Sequence, residues 1–259
     1  MRLSGAVALV TGASSGIGAA TAAALAASGA RLLLAGRHPG RLAEVAGRTG
    51  AAALEADLAT PGGPAALAGA ALTAAARIGE PGGIDILVNN AGVGWAGPMA
   101  EMPPEKISEL VAVNLTAPMQ LTRLLMPGMT ARGRGRVVFV SSIAGVTGVQ
   151  KEAVYAATKA GLGTFAESLA YEARGRGVRV SVIVPGVIDT PFFDRRGRPY
   201  GRKRPAPIPA DRVARAIVAA LEKDRYLAYV PGWTRVPAWL HGAAPAPFRA
   251  LAARYGDPG

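Results

Sequence analysis

Tyr155 and Lys159 are the residues of this 259-residue chain whose types and spacing most directly suggest chemistry. They stand four apart near the start of 153–176, a stretch that reads as a helix, so the phenol and the ammonium share one face. A nearby cation favours phenolate and draws a tyrosine down from its usual pKa of about 10. A group poised in that way gives or takes a proton at neutral pH. The pair alone also fits an ordinary amphipathic helix, so its neighbours decide.

A second constellation lies near the N-terminus. Thr11-Gly12-Ala13-Ser14-Ser15-Gly16-Ile17-Gly18 follows an apolar run and opens a helical one. Glycines allow a tight turn and let backbone approach a ligand. The following helix start offers free N–H groups and a positive dipole end to a pyrophosphate. The spacing is Gly-x-x-x-Gly-x-Gly, a variant of the dinucleotide fingerprint, and its place between strand and helix strengthens the reading. The next strand ends Leu34-Ala35-Gly36-Arg37-His38, without the carboxylate that would hold a ribose 2′-hydroxyl. Arg37 can grip a phosphate by paired hydrogen bonds, with Ser14 and His38 adding contacts, so NADP(H) is preferred over NAD(H). The alternative is that Arg37 is a solvated loop residue.

These residues need a frame. Apolar strand-like runs at 6–10, 31–35, 51–55, 84–89, 136–140, 179–184 and 227–230 alternate with helical stretches at 17–28, 41–48, 64–78, 104–132, 153–176 and 210–223. Near-continuous hydrophobicity suits strands buried on both faces, and the alternation implies right-handed βαβ crossovers. The expected fold is α/β: one Rossmann-type domain over 1–259, a doubly wound parallel sheet of about seven strands with helices on both faces. Residues 60–83 read as a helix with glycine-rich ends, 191–209 as a loop rich in Pro, Gly and Arg. The tail 231–259 carries Trp233 and Trp239 among prolines that rule out one long helix.

Composition narrows the classes. There is no cysteine, which excludes disulfides, thiolate metal sites and cysteine nucleophiles. His38 and His241 stand in no metal-like spacing, so no metal is expected. No run is long and apolar enough for a transmembrane helix, and the expected location is cytoplasmic. The formal net charge of +12 favours anionic partners. The basic runs lack the interleaved aromatics of a nucleic-acid binder, so none is expected.

Taken in order, the motifs resemble the short-chain dehydrogenase/reductase family over about 5–230. Thr-Gly-x-x-x-Gly-x-Gly is similar to that family's cofactor loop, through Gly12, Ser14, Ser15, Gly16, Ile17 and Gly18. The resemblance sets Asp57-Leu58 beside the adenine, and Asn89-Asn90-Ala91-Gly92 at the strand end that admits the cofactor, with Asn89, Ala91 and Gly92 in contact. It makes Ser142 the serine that bonds the substrate oxygen, with Ser141 as the fallback. Asn114 becomes the helix asparagine that holds a water in a relay with the lysine; in an apolar helix it requires some specific partner in any case. Pro185-Gly186-Val187-Ile188-Asp189-Thr190 resembles the segment that binds the nicotinamide carboxamide, through Ile188 and Thr190.

The implied activity interconverts a carbonyl and an alcohol by hydride transfer. Tyr155 is the acid–base, and Lys159 also bonds the nicotinamide ribose. A dinucleotide-sensing regulator of the same fold is the alternative, although it has no need of Ser142, Tyr155 and Lys159 together. In this family the segment after Thr190 covers the substrate. Here it carries Arg195, Arg196, Arg198, Arg202, Lys203 and Arg204, which suits an anionic or acyl-carrier-linked substrate or else a solvated loop. Val93, Trp95, Ile143, Val149 and Phe192 suggest an apolar pocket. The tail suits a lid, a dimer contact or a membrane-surface patch. Family analogy adds a homodimer or homotetramer through 104–132 and 153–176.

Overall fold

Runs of Val, Leu and Ile bury both faces of a parallel sheet, and Leu9, Leu33, Leu87 and Phe139 within it are fully enclosed. The computed structural model describes residues 1–78, 83–201 and 204–255. Arg202 and Lys203 of the basic segment lie outside the described residues.

The main strands are β1 (Val7–Thr11), β2 (Arg31–Gly36), β3 (Ala52–Glu55), β4 (Ile86–Asn89), β5 (Gly135–Val140) and β6 (Val178–Pro185). A two-residue ladder follows, β7 (Ile188–Asp189) with β8 (Ile208–Pro209), and β9 (Leu227–Val230) completes the sheet. The seven-stranded sheet runs β3-β2-β1-β4-β5-β6-β9, parallel throughout. Its order reverses between β1 and β4, which opens a crevice beyond their carboxyl ends where ligands bind in doubly wound sheets. The short ladder was not expected from the sequence. It pairs Ile188 with Ile208 and Asp189 with Pro209, clipping together the two ends of the basic segment.

The helices are α1 (Gly16–Ala27), α2 (Pro39–Thr49), α3 (Gly63–Arg77), α4 (Pro104–Val111), α5 (Ala117–Ala131), α6 (Ala144–Thr147), α7 (Ala153–Glu172), α8 (Phe192–Arg195), α9 (Ala210–Lys223), α10 (Arg235–Ala243) and α11 (Pro245–Tyr255). One face of the sheet is covered by α3, α5 and α7, through Leu67, Leu121, Leu125, Leu162 and Ala166. The other is covered by α1, α2 and α9, through Leu25, Leu42, Val213 and Ile217. The tail forms two short helices that part at Ala244, before Pro245, as its prolines require.

One expected helix is divided. The stretch 104–132 contains a π-helical turn at Ala112–Thr116, between α4 and α5. Pro118 explains part of it. Without an N–H it cannot give the carbonyl of Asn114 the bond that an α-helix would supply. Hydrophobic periodicity does not register a single widened turn, so the sequence reads as one helix.

Candidate active site

The carboxyl ends of β1, β4, β5 and β6 open into a cavity of about 1360 Å³. Its phosphate-loop wall depends on glycines in three places. Gly12 has φ +65°, and a Cβ there would stand 2.7 Å from Ala91 Cα. A Cβ on Gly18 would lie 2.2 Å from the carbonyl oxygen of Gly12, so the loop folds onto its own helix. Gly16, at φ +55°, faces the Thr190 methyl, which a Cβ would meet at 3.0 Å. Ser14, Ser15, Gly16 and Ile17 line the cavity; Gly18 supports the loop from behind.

At the adjoining strand ends, Arg37 lines the cavity and pairs with Glu109 at 3.2 Å, while Lys106 takes the other oxygen of Glu109 at 2.8 Å. Those two partners hold the Glu109 carboxyl below its ordinary pKa. Asp57 and Leu58 also line the wall, and Asp57 Oδ1 accepts the Ala59 N–H at 2.9 Å.

The two asparagines that close β4 diverge. Asn89 turns into the core, where its Nδ2 donates to Thr122 on α5 at 3.4 Å, and it does not reach the cavity. Asn90 lines the cavity, and its Nδ2 donates to the carbonyl of Thr11 at 2.8 Å. It thereby ties β4 to the phosphate loop. Alternation along a strand sends neighbours to opposite faces. Asn89, expected to contact the cofactor, thus faces away from the cavity that Asn90, Ala91 and Gly92 line.

Beyond β5, the two serines separate as well. Ser141 Oγ donates to the carbonyl of Lys159 at 3.0 Å, tying the strand to α7. Ser142 Oγ accepts the Ala144 N–H at 3.2 Å, and its hydroxyl acts to lower the Tyr155 pKa. Tyr155 is buried beneath Phe192, with ring centroids 5.4 Å apart, and Lys159 Nζ lies 5.9 Å from its ring centre. Lys159 Nζ donates to the carbonyl of Val140 at 2.9 Å. Asn114 is fully buried outside the cavity wall. Its Oδ1 accepts the Val93 N–H at 2.8 Å, and its Nδ2 donates to the Val93 carbonyl at 2.9 Å and to Thr158 at 3.2 Å. Gly92 leaves room between these groups: a Cβ there would stand 3.4 Å from Asn114 Oδ1 and 3.5 Å from Lys159 Nζ.

Burial sets the electrostatics. It pushes Tyr155 above its ordinary pKa, with Ser142 pulling the other way, Glu152 adding to the rise and Arg196 reducing it. Burial pushes Lys159 down to about 8. A phenol drawn down by its neighbouring ammonium is thus not what the folded chain shows. Desolvation is the largest influence on Tyr155, and Lys159 Nζ is turned to the Val140 carbonyl.

On the remaining side, Pro185, Gly186, Ile188 and Thr190 line the cavity where β6 ends. Val93, Ile143, Val149 and Phe192 supply its apolar part, whereas Trp95 lies in a separate, smaller hollow. The basic segment folds over the opening. Arg195, Arg196, Arg198 and Arg204 all line it, and Arg196 is paired with Glu152 and stacked 4.7 Å from the Phe193 ring centre. The sequence reading missed Asn90, Glu152 and Gly145; a Cβ on Gly145 would stand 2.6 Å from the Lys159 carbonyl carbon. Among the described residues there is no group of carboxylates or histidines that could hold a metal, and no helix is long and apolar enough to cross a membrane.

Residues 6–200 match the family model described as short chain dehydrogenase. The chain belongs to the short-chain dehydrogenase/reductase family. As a member it is an oxidoreductase acting on alcohol or ketone groups. It is 34% identical over 247 residues to the 3-oxoacyl-(acyl-carrier-protein) reductase of Escherichia coli, covering 90% of this chain and 96% of that one. Among solved structures of the family, it resembles a short-chain dehydrogenase from Sphingobium yanoikuyae in complex with NADPH. That match has a TM-score of 0.80 and 28% identity, covering 92% of this chain and 94% of that one. It also resembles a short-chain dehydrogenase/reductase from Burkholderia phymatum in complex with NAD, with a TM-score of 0.84 and 25% identity, covering 94% and 95%.

Proposed function

We propose that this short-chain dehydrogenase/reductase is an NADP(H)-dependent carbonyl reductase in which Tyr155 exchanges the proton at the substrate oxygen. The observation that carries the reading is the meeting of Ser142, Tyr155 and Lys159 in one cavity with the glycine-rich loop and Arg37. The cradle that Gly12 and Gly16 leave open, which a Cβ would fill, fits a dinucleotide. The N–H groups opening α1 would hold its pyrophosphate, Asp57 and Leu58 its adenine, Ala91 and Gly92 its ribose side, and Ile188 and Thr190 its carboxamide. Pro185 and Gly186 shape that last wall. When bound, the nicotinamide supplies or accepts the hydride.

The chain's own groups handle the proton. Ser142 donates to the carbonyl oxygen and steadies the negative charge that builds there. Tyr155, with its pKa raised, reaches neutral pH as an intact phenol, the form a reduction needs. Lys159, with a pKa of about 8, still carries its proton at pH 7 and stabilises the phenolate left behind. It would also bond the ribose of the bound cofactor. Asn114 is the relay position through which water would return the proton.

Related structures hold NADPH in one case and NAD in another, so the end of β2 becomes decisive. Here it presents Arg37 and no carboxylate of its own. The Arg37–Glu109 pair is exposed, and such pairs contribute about 1 kcal/mol or less, so a phosphate can displace it. Arg198 and Arg204 at the opening favour a carbonyl compound that carries negative charge, free or on an acyl carrier. A homodimer or homotetramer through the faces of α4, α5 and α7 belongs to the same reading.

The test is consumption of NADPH and NADH over a broad carbonyl panel, with Tyr155→Phe alongside. Turnover with NADPH that is lost in the variant supports the assignment. Tight NADPH binding with no turnover of any carbonyl or alcohol points away from it.

A further inference from the structure

The basic segment brings one guanidinium back to the cofactor's end of the cavity. Helix α8 begins at Phe192, packed against Tyr155, and ends at Arg195, whose Nη2 donates to Ser15 Oγ at 3.0 Å. Ser15 immediately precedes α1, and its neighbour Ser14 sits over the end of β2, where a Cβ on Gly36 would meet Ser14 Oγ at 3.5 Å. From that strand end follow Arg37, His38 and Arg41.

The three arginines feel one another across this gap. Burial, then Arg41 and Arg37, hold Arg195 below its ordinary pKa, with Asp194 opposing. Burial, then Arg41, Arg37 and Arg195, do the same to His38. The carboxylate paired with Arg37 is Glu109, already shared with Lys106. Like charges brought together repel, and a dianion placed between them attracts each one and offsets that repulsion. The pyrophosphate end is accounted for by Gly16, which Thr190 covers. Arg195 contacts Ser15 on that loop and lines the cavity together with Arg37, while the charge of Arg41 acts on it from nearby.

We propose that Arg195 is a cofactor-binding residue, the basic segment's contribution to a three-arginine socket for the 2′-phosphate of NADP(H). The phosphate thereby pins α8 over the active site. Because the same four-residue helix touches Tyr155 at one end and Ser15 at the other, an occupied socket is read at the proton donor. The inference rests on the NADP(H) assignment above.

Calorimetric titrations of NADPH, NADH, 2′-phospho-ADP-ribose and ADP-ribose against the wild type and Arg195→Gln separate the possibilities. The variant is expected to weaken NADPH and 2′-phospho-ADP-ribose on the order of tenfold, the scale of one lost charge-assisted hydrogen bond. NADH and ADP-ribose should change by less than about twofold on the same scale. In the wild type, 2′-phospho-ADP-ribose should slow tryptic cleavage after Arg196 more than ADP-ribose does, and the variant should lose that difference. Equal weakening of all four ligands would assign Arg195 to the pyrophosphate and overturn the proposal, as would no weakening at all. A wild type without preference for NADPH would instead refute the cofactor assignment itself.

Discussion

Gly145 and Lys159 lie so close that no side chain fits between them. A Cβ on Gly145 would stand 2.6 Å from the Lys159 carbonyl carbon and 2.7 Å from the Ala160 nitrogen. The obstacle is backbone, which cannot rotate away. This contact seats the turn after β5, and with it Ser142, against the helix that carries Tyr155 and Lys159. Gly145→Ala should therefore lower stability by about 1–3 kcal/mol, the usual range for overpacking. It should also cost more kcat than Gly69→Ala or Gly163→Ala, whose surroundings are open. Melting curves and turnover of the three variants check this.

Removing the phenol hydroxyl takes away the proton donor and leaves the cofactor's surroundings in place. Tyr155→Phe should lower kcat on the order of 10²–10⁴-fold, with NADPH affinity close to the wild type. Ser142→Ala should act in the same direction. Titration of binding alongside single-turnover rates would separate the two effects, and a loss of binding equal to the loss of rate would count against the assignment.

The pH dependence follows from the direction of the Lys159 shift. Its pKa falls from an ordinary 10.5 to about 8 through burial, so the folded chain releases this proton earlier than the unfolded chain does. Between about pH 8 and 10.5 the unfolded state holds more protons at this site, and this contribution to stability rises with pH. Lys159→Met should remove that rise, seen as a flatter melting temperature from pH 7 to 10. Catalysis runs the other way. Reduction should decline as pH passes about 8, where the ammonium beside Tyr155 is lost. Lys159→Arg, whose guanidinium keeps its proton, should move that decline to higher pH.

Asn114 satisfies both backbone groups of Val93, next to Gly92 on the cavity wall. Asn114→Leu would remove the partners of the half-buried Val93 N–H and carbonyl, at up to about 1–3 kcal/mol for each group that water does not reach. Denaturant unfolding should show that loss, and kcat should fall with it. Asn114→Asp should recover part of the stability by accepting the Val93 N–H, without restoring the donor to its carbonyl.

Arg198 and Arg204 line the opening and can be neutralised together as glutamines. KM for carboxylate- or phosphate-bearing carbonyl compounds should rise, with neutral ketones unaffected. Equal losses for both groups of substrates would argue that the segment is only a cover.

Much of this protein is determined by local pattern. Apolar runs such as Val7–Thr11 and Arg31–Gly36 can satisfy their burial only in a parallel sheet covered on both faces. The glycines at 12, 16 and 18 mark a turn that side chains would block. Four residues of helix are enough to set Tyr155 and Lys159 on one face. Tertiary structure decided the rest, because those outcomes depend on partners far away in the chain. Asn89 and Asn90 are chemically identical neighbours; only the facing of β4, with α5 on one side and the phosphate loop on the other, separates their roles. Ser141 and Ser142 differ in the same way. The direction of the Tyr155 shift could not be read from the lysine four residues on, since it follows chiefly from burial. Arg195 reads in sequence as one of several loop cations. Its contact with Ser15, 180 residues earlier, is made only in the folded chain, where the segment after β6 returns to the phosphate loop.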